Sequence, residues 1–134
     1  MQLEPYLFFN GDCEEALNFY AAIFKGEVTG INRFEGSPAM ENAPPGWDNK
    51  IMHASLKSPS VNLMASDVPP AEHGEGRISL SLGSNDLAES TRVFNALAEG
   101  GKVTMPFGKQ FWGDTFGQVT DKYGFDWMVN CSSD

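Results

Sequence analysis

The sequence predicts an α+β protein that consists of two tandem βαβββ modules. The first observation is a repeated pattern, in which two segments with apolar residues at helical spacing begin 74 residues apart, at Asp12 and Asp86. The second is that strand-like stretches, in which apolar and polar residues alternate, flank each of these segments. We expect module 1 at about 1–68, a linker at about 68–76 and module 2 at about 77–134 of a single domain.

The first module begins with an apolar run at 3–9 that predicts a short strand. Asp12 and Glu15 follow with the spacing of a capping box, so we expect the Asp12 side chain to cap a helix. Lys25 and Gly26 predict the end of that helix. Its apolar stripe would consist of Ala16, Tyr20, Ile23 and Phe24. Further strands are predicted after the helix, at Val28-Thr29, at 51–57 and at 61–65.

The second module repeats this order. A strand is predicted at 77–82, and Asp86 and Glu89 form a second capping box. Gly100 and Gly101 predict the end of the second helix. Its apolar stripe would consist of Ala88, Val93, Phe94 and Leu97, and Val103-Thr104 would begin the next strand.

The stretch 110–130 predicts a β-hairpin. The turn is expected at 121–124, where Asp121 and Gly124 tolerate tight backbone geometry. Phe125, Trp127 and Val129 alternate with more polar residues, which is typical of a strand with one face packed on a helix. We expect that face to hold the helix of the second module.

Two segments are rich in helix- and strand-breaking residues. Residues 36–49 contain three prolines and Gly46, too many for regular structure. This long loop is interpreted either as a lid or as an ordinary surface connection. The second segment, 68–76, carries further prolines and glycines and is predicted to link the modules.

Composition restricts the function classes. A formal net charge of −9 argues against nucleic-acid binding, which depends on clustered Lys and Arg, but is compatible with a neutral or cationic small molecule. No apolar run approaches the ~20 residues that span a bilayer, and the first twelve residues lack the features of a signal peptide. Cys13 and Cys131 show neither metal-type nor disulfide spacing, and Cys13 is interpreted as a buried structural thiol. We expect a cytoplasmic protein without nucleic-acid or membrane partners.

Three motifs, PYLFFNGDCEEALNFY, IMHASL followed by NLMASD, and FWGDTFGQVTDKYGFDWMVN, span nearly the whole chain. They resemble the PhnB-like branch of the vicinal oxygen chelate superfamily, which includes glyoxalase I and the bleomycin-resistance proteins. Members of this bacterial-type branch often carry the label 3-demethylubiquinone-9 3-methyltransferase domain. The resemblance implies the glyoxalase/bleomycin resistance-like fold, with the sheets of two modules curving around a cleft. It also implies a homodimer.

The superfamily's metalloenzymes hold a divalent cation with four side chains. The resemblance places these positions at Pro5, Leu63 or Met64, Arg77 and Met128. None of these is a suitable ligand for a hard or borderline cation, which prefers nitrogen and oxygen donors. We therefore expect no metal and no cofactor, with a non-standard divalent metal site as the less favoured alternative. Glyoxalase I activity is disfavoured on the same ground.

Methyl transfer is disfavoured for a separate reason. Enzymes that use S-adenosylmethionine generally need a larger domain with a glycine-rich nucleotide turn after the first strand. Phe9-Asn10-Gly11-Asp12 is not such a turn. The sequence also lacks a GxGxxG motif after a strand, a P-loop and a GxSxG motif.

Alternation along the predicted strands separates core residues from residues that would face the cleft. The predicted core sets are Ile78, Leu80 and Leu82 in one strand and Met52, Ala54 and Leu56 in another. The opposite faces carry Arg77, Ser79 and Ser81, and His53, Ser55 and Lys57. Gln118 and Thr120 share a face with Phe116. These polar faces would line the cleft or meet water.

Several of these residues are candidates for a site. His53 is the candidate catalytic residue, as a general base or a ligand hydrogen-bonder, although a structural hydrogen bond would also explain it. Arg77 would clamp a carboxylate or phosphate, or else pair with Glu75 or Asp67. Trp112 and Phe111 would stack on a flat ligand, or else pack in a dimer or fill the core. The remaining candidate ligand contacts are Ser79, Gln118, Met64 and Met128.

Two functions from different classes follow. The favoured one is a protein that binds a small organic molecule in the cleft between the modules without a glyoxalase-type metal site. The alternative is a small-molecule enzyme, metal-independent or with a non-standard metal site, in which His53 acts as base or ligand.

Overall fold

The computed structural model describes residues 4–69 and 78–133. The chain divides into two compact units, Met1–Glu75 (unit 1) and Gly76–Asp134 (unit 2). In its described residues, each unit contains one α-helix and a four-stranded mixed sheet, so the predicted α+β architecture is confirmed. Unit 1 comprises β1 (Tyr6–Phe9), α1 (Cys13–Phe24), β2 (Glu27–Arg33), β3 (Ile51–Lys57) and β4 (Asn62–Asp67). Unit 2 comprises β5 (Ser79–Ser84), α2 (Leu87–Ala98), β6 (Lys102–Lys109), β7 (Thr115–Thr120) and β8 (Asp126–Cys131).

The two sheets have the same topology. In unit 1 the strand order is β1-β4-β3-β2, and in unit 2 it is β5-β8-β7-β6. The first and last strands of each unit pair in parallel, whereas the other neighbours are antiparallel. The last strand of each unit is therefore internal to its sheet. Among the described residues, no helix is long and apolar enough to cross a membrane.

Each helix covers one face of the sheet in its own unit. In unit 1, α1 packs against β2, β3 and β4, and the alternation along β3 buries Ala54 and Leu56 as predicted, while Met52 is half-buried. In unit 2, α2 packs against β6, β7 and β8. Trp127, Val129 and Cys131 are buried, whereas Phe125 lies before β8 and is half-buried.

The predicted core set of the strand at 77–82 is partly wrong. Strand β5 begins at Ser79, and Ile78 is 79% exposed. Leu80 and Leu82 are half-buried rather than buried. Strand β5 lies at the edge of its sheet, and α2 packs on the other three strands, but the equivalent edge strand β1 buries Leu7 and Phe9, so edge position alone does not account for the difference.

The predicted capping box of α1 is also wrong. The Asp12 side chain makes no capping hydrogen bond. Instead, Asp67 at the end of β4 accepts hydrogen bonds from the backbone N–H groups of Gly11 and Cys13, at 2.8 and 2.9 Å, with its Oδ1 atom. Its Oδ2 atom accepts a third from the N–H of Ile51 at 2.9 Å. Because β4 runs parallel to β1, the end of β4 lies beside the turn that leads into α1.

The second helix follows the prediction more closely. Asp86 precedes α2, and its Oδ1 atom accepts a hydrogen bond from the N–H of Glu89 at 3.1 Å. The end of α1 also agrees with the sequence, since Lys25 adopts a left-handed conformation with φ of 56°. Residues 36–49, expected to be irregular, contain a 3₁₀ helix at Pro38–Asn42. Proline suits this start because it has no backbone N–H, and the first helical turn does not need one.

Candidate functional site

The face of the unit 1 sheet that lies opposite α1 carries a cluster of four side chains, Tyr6, Phe8, His53 and Met64. We call it the Tyr6 cluster. Tyr6 lies in register with Met64 on the neighbouring strand β4. Strand β4 lies between β1, which carries Tyr6, and β3, which carries His53. The side chains of Tyr6 and His53 therefore contact each other across β4. The Tyr6 hydroxyl oxygen lies 3.0 Å from Nδ1 of His53.

The aromatic members of the cluster are exposed. Alternation along β1 buries Leu7 and Phe9 and leaves Tyr6 37% and Phe8 45% exposed. The Tyr6 ring centroid lies 5.3 Å from that of Phe8 and 5.7 Å from that of His53. Exposed aromatic rings grouped beside a polar side chain are a feature of ligand-binding surfaces.

The hydrogen bond between Tyr6 and His53 constrains what the imidazole can do. If the phenol donates to Nδ1, the imidazole is left with Nε2–H as a donor. If Nδ1–H donates to the phenol oxygen, Nε2 becomes an acceptor that can take a proton. The described part of the chain gives Nε2 of His53 no hydrogen-bond partner. This nitrogen is thus available to a ligand in either tautomer.

Sequence reasoning placed His53 correctly on the open face but missed Tyr6. The signal was the alternation of β1, in which Tyr6 and Phe8 point away from Leu7 and Phe9. Using it would have required knowing that β1 pairs with β4, and pairing partners are not visible in the local pattern.

The corresponding face of the unit 2 sheet carries most of the other predicted contacts. Met128 lies in register with Gln118 on one side and with Ser81 on the other. Ser79 lies in register with Asp126, two residues before Met128 on β8. These side chains form a largely polar surface with a methionine at its centre.

Trp112 lies before β7, next to this surface. It is 48% exposed and makes an edge-to-face contact with Phe116 at 5.9 Å between ring centroids. Phe111 is 97% exposed and contacts Trp112 in the same manner at 5.0 Å. Nearby, Asn130 donates a hydrogen bond to Asp114 at 3.1 Å, a pair that sequence reasoning did not single out.

The predicted site residues are thus distributed over both units. His53 and Met64 lie in unit 1, and Ser79, Trp112, Gln118 and Met128 lie in unit 2. Arg77 lies outside the described residues. Asp67, one of its suggested partners, is 1% exposed and bonded to three backbone N–H groups, so it is not a surface carboxylate.

The positions at which the superfamily holds a metal do not fit one here. Of the two alternatives on β4, Leu63 is buried toward the helix and Met64 lies on the open face. Met128 is its counterpart on β8. Neither Pro5 nor a methionine supplies a nitrogen or oxygen side-chain donor. Within residues 4–69 and 78–133, no three His, Cys, Asp or Glu side chains come together in a group that could hold a metal ion.

Cys13 is not a candidate nucleophile. Its side chain is fully buried, which agrees with the structural role expected from the sequence. Burial and, secondarily, the negative charge of Asp67 raise the pKa of the Cys13 thiol far above its usual range. The reactive thiolate form is therefore disfavoured.

Two βαβββ units with mixed four-stranded sheets define the glyoxalase/bleomycin resistance class of folds. A solved structure of a glyoxalase/bleomycin resistance protein/dioxygenase family enzyme from Burkholderia phytofirmans PsJN matches the chain with a TM-score of 0.62. The alignment covers 94% of each chain at 10% identity. At this identity, the similarity shows the fold alone.

The family is shown by closer matches. The profile of the family described as 3-demethylubiquinone-9 3-methyltransferase matches residues 1–130, and the chain belongs to this family. Protein YjdN of Escherichia coli K12 is 34% identical over 139 residues, which cover 97% of this chain and 95% of YjdN.

Solved structures agree with this assignment. Protein PA1353 from Pseudomonas aeruginosa is 46% identical with a TM-score of 0.85, and the match covers 100% of this chain and 99% of that protein. A PhnB protein from Bacillus cereus is 27% identical with a TM-score of 0.80, covering 98% of this chain and 100% of the other.

Proposed function

We propose that this protein binds a small organic molecule, and that the Tyr6 cluster is a principal contact surface. The observation that carries the proposal is the exposure of Tyr6 and Phe8 beside His53 on one face of the sheet. Leaving aromatic rings in water forgoes the free energy of burial, and a bound ligand would recover it.

The chemistry of the cluster indicates the kind of ligand. The rings of Tyr6 and Phe8 favour a flat apolar group, and Met64 offers a polarisable side chain that adapts to irregular shapes. Nε2 of His53 would hydrogen-bond a polar substituent. The net charge of −9 favours a neutral or cationic molecule over an anion.

We extend the proposal to the open face of unit 2. Gln118 and Ser79 would hydrogen-bond a ligand there, and Met128 and Trp112 would make apolar contacts. Arg77 is proposed as a further contact on the basis of sequence alone. None of these roles requires a metal ion, and we propose that binding proceeds without a glyoxalase-type metal site.

A small-molecule enzyme is the second candidate, and the Tyr6–His53 hydrogen bond favours it. A phenol that orients an imidazole leaves its second nitrogen positioned to accept or donate a proton. The family description names a methyltransferase, but we do not propose methyl transfer, because the turn after β1 is not the glycine-rich nucleotide turn that such enzymes generally use.

The experiment is a thermal-shift screen of metabolites and antibiotics, run with and without Zn²⁺ or Ni²⁺. We expect stabilisation by flat organic compounds and none by either metal at a stoichiometric amount. The variant His53→Ala should weaken binding of the hits, whereas His73→Ala, which removes the only other imidazole of the chain, should not.

Two results would contradict the proposal. Stoichiometric stabilisation by Zn²⁺ or Ni²⁺ would overturn the metal-free site. If every hit bound the wild type and His53→Ala with equal affinity, His53 would not be part of the binding site. A turnover assay on the hits then separates a binding protein, which leaves them unchanged, from an enzyme.

A further inference from the structure

We propose that unit 1 contains a second binding site, a pocket of about 320 Å³ beside the 3₁₀ helix, for an uncharged molecule of one or two rings. We call it the Trp47 pocket. None of the four side chains of the Tyr6 cluster lines it, so it is distinct from the surface of the proposed function, although Ser66 lies in register with Phe8 and adjoins that cluster. Residues that define its walls include Phe34, Pro44, Trp47, Met52, Ser66 and Asp67.

The aromatic wall is held in place by backbone hydrogen bonds. Phe34 and Trp47 are in contact at 5.6 Å between ring centroids. The N–H of Phe34 donates to the carbonyl of Lys50 at 3.1 Å, and the N–H of Lys50 donates to the carbonyl of Trp47 at 2.9 Å. These bonds hold the backbone that carries both rings before any ligand arrives, which lowers the entropic cost of binding.

The polar side of the pocket is supplied by Ser66. This residue is only 5% exposed, and the described residues give its hydroxyl no hydrogen-bond partner. The Ser66 hydroxyl is not among the described buried polar atoms that lack a partner, so it keeps contact with solvent and can hydrogen-bond a ligand that enters the pocket.

Asp67 also lines the pocket but does not favour a cationic ligand. Both of its carboxylate oxygens accept hydrogen bonds from backbone N–H groups, those of Gly11, Cys13 and Ile51. These bonds and the positive end of the α1 dipole already stabilise the charge. The pocket thus combines apolar and aromatic walls with the Ser66 hydroxyl and the Asn42 amide, and an uncharged ring with one polar substituent matches it.

The size of the pocket sets the number of rings. An apolar cavity of ~150 Å³ holds benzene, and sites for drug-sized ligands begin at ~300 Å³. A volume of about 320 Å³ accommodates two fused rings. We therefore choose 1-naphthol as the probe, with naphthalene as the matched ligand that lacks the hydroxyl.

The test is an NMR titration of the whole chain with each probe. We expect saturable shift changes at the Trp47 indole N–H and at the Met52 methyl group. Ser66→Ala should weaken the binding of 1-naphthol by about fivefold, which corresponds to about 1 kcal/mol for one net hydrogen bond. The same variant should leave the affinity for naphthalene unchanged.

A matched pair of variants tests the location. Ala43 lines the pocket, so Ala43→Phe should fill it and weaken both probes by at least about tenfold. Glu41 lies on the same 3₁₀ helix but is exposed and does not line the pocket, so Glu41→Phe should leave both affinities unchanged.

Other outcomes overturn the inference. The absence of saturable shifts at Trp47 and Met52 in the wild type would show that the pocket does not bind these rings, whether or not Ala43→Phe folds. Equal weakening of the two probes by Ser66→Ala would remove the role of the hydroxyl. If His53→Ala lost 1-naphthol binding while Ala43→Phe bound it as tightly as the wild type, the probe would bind at the Tyr6 cluster. The inference of a second site would then be wrong, and only the proposed function would stand.

Discussion

The two units share a topology but stabilise their helix N-termini differently. In unit 1, α1 is capped by Asp67, which lies 54 residues along the chain from Cys13. In unit 2, α2 is capped by Asp86, which accepts a hydrogen bond from the N–H of Glu89, three residues further along the chain. The last residue of β8, which corresponds in the topology to Asp67 at the end of β4, is Cys131.

Unit 2 has its own buried carboxylate, at another place. Asp121 accepts hydrogen bonds from the N–H groups of Tyr123 and Phe125 and, at 2.8 Å, from the indole Nε1–H of Trp127. All three donors lie within six residues of it. A buried carboxylate thus joins distant segments in unit 1 but organises a single turn in unit 2.

This difference has a consequence for the candidate sites. The bond from Ile51 to Asp67 fixes the start of β3, the strand that carries Met52 and His53. The Tyr6 cluster and the Trp47 pocket therefore both depend on one buried side chain. The open face of unit 2 depends on no comparable long-range cap among its described residues.

Removing Asp67 should have the largest effect on stability. Asp67→Ala leaves three backbone N–H groups without their acceptor, and we expect a loss of about 3–5 kcal/mol in the free energy of unfolding. If that variant does not fold, Asp67→Asn is informative. Its amide oxygen can still accept from Gly11 and Cys13, so the loss should be smaller. Chemical denaturation measures both, and a loss below that of Asp86→Ala would refute the comparison.

Removing Asp121 should rank second. Asp121→Ala breaks the turn contacts and the bond to Trp127, and we expect a loss of about 2–3 kcal/mol because the exposed part of the turn regains bonds to water. The bonds are local to unit 2, so hydrogen exchange should accelerate around 121–127 more than at Ile51. Equal acceleration at Ile51 would show that the effect is not local.

The local cap should rank third. Asp86→Ala removes one capping bond at an exposed helix start, which typically costs about 1 kcal/mol. Asp12→Ala is the matched control, because Asp12 occupies the equivalent sequence position but makes no side-chain cap. Thermal or denaturant unfolding should show a smaller loss for Asp12→Ala. The reverse order would support the capping box that the sequence suggested.

The smallest effect is expected from the surface pair of Glu14 and Arg33, joined by two hydrogen bonds of 3.0 and 2.9 Å. The guanidinium lowers the pKa of the Glu14 carboxyl. Its stabilisation is therefore present above the pKa of glutamate in the unfolded chain and is lost as pH falls through the lower folded value. Glu14→Gln should cost less than Asp86→Ala at pH 7 and at low salt. A difference from the wild type that grows in acid would contradict this sign.

Features that depend on residues close together in the chain, such as helices and a local cap, could be predicted from the sequence. Helical periodicity located α1 and α2, and the spacing of Asp86 and Glu89 identified a real cap. The same spacing at Asp12 and Glu15 gave a wrong prediction. Asp67, at the end of a strand distant in the chain, already accepts hydrogen bonds from the N–H groups at the start of α1. Local spacing carries no information about such a competitor.

The candidate site shows the same limit. His53 could be assigned to the open face from alternation alone, but its partner Tyr6 depends on which strands pair. Register likewise decided between Leu63 and Met64. Ile78 shows the same limit, because it lies just before β5 and is exposed although its place in the alternation suggested a core residue.

The central claim, that the Tyr6 cluster binds a small organic molecule, is tested most directly by mapping a screening hit onto the protein by NMR. We expect saturable shifts of the His53 imidazole and the Met64 methyl group, and at least about tenfold weaker binding in the double variant Tyr6→Ser/Phe8→Ser. Lys57→Ser, an exposed change on the same strand as His53, should leave the affinity unchanged. If the hits bind the double variant as tightly as the wild type, the claim is wrong.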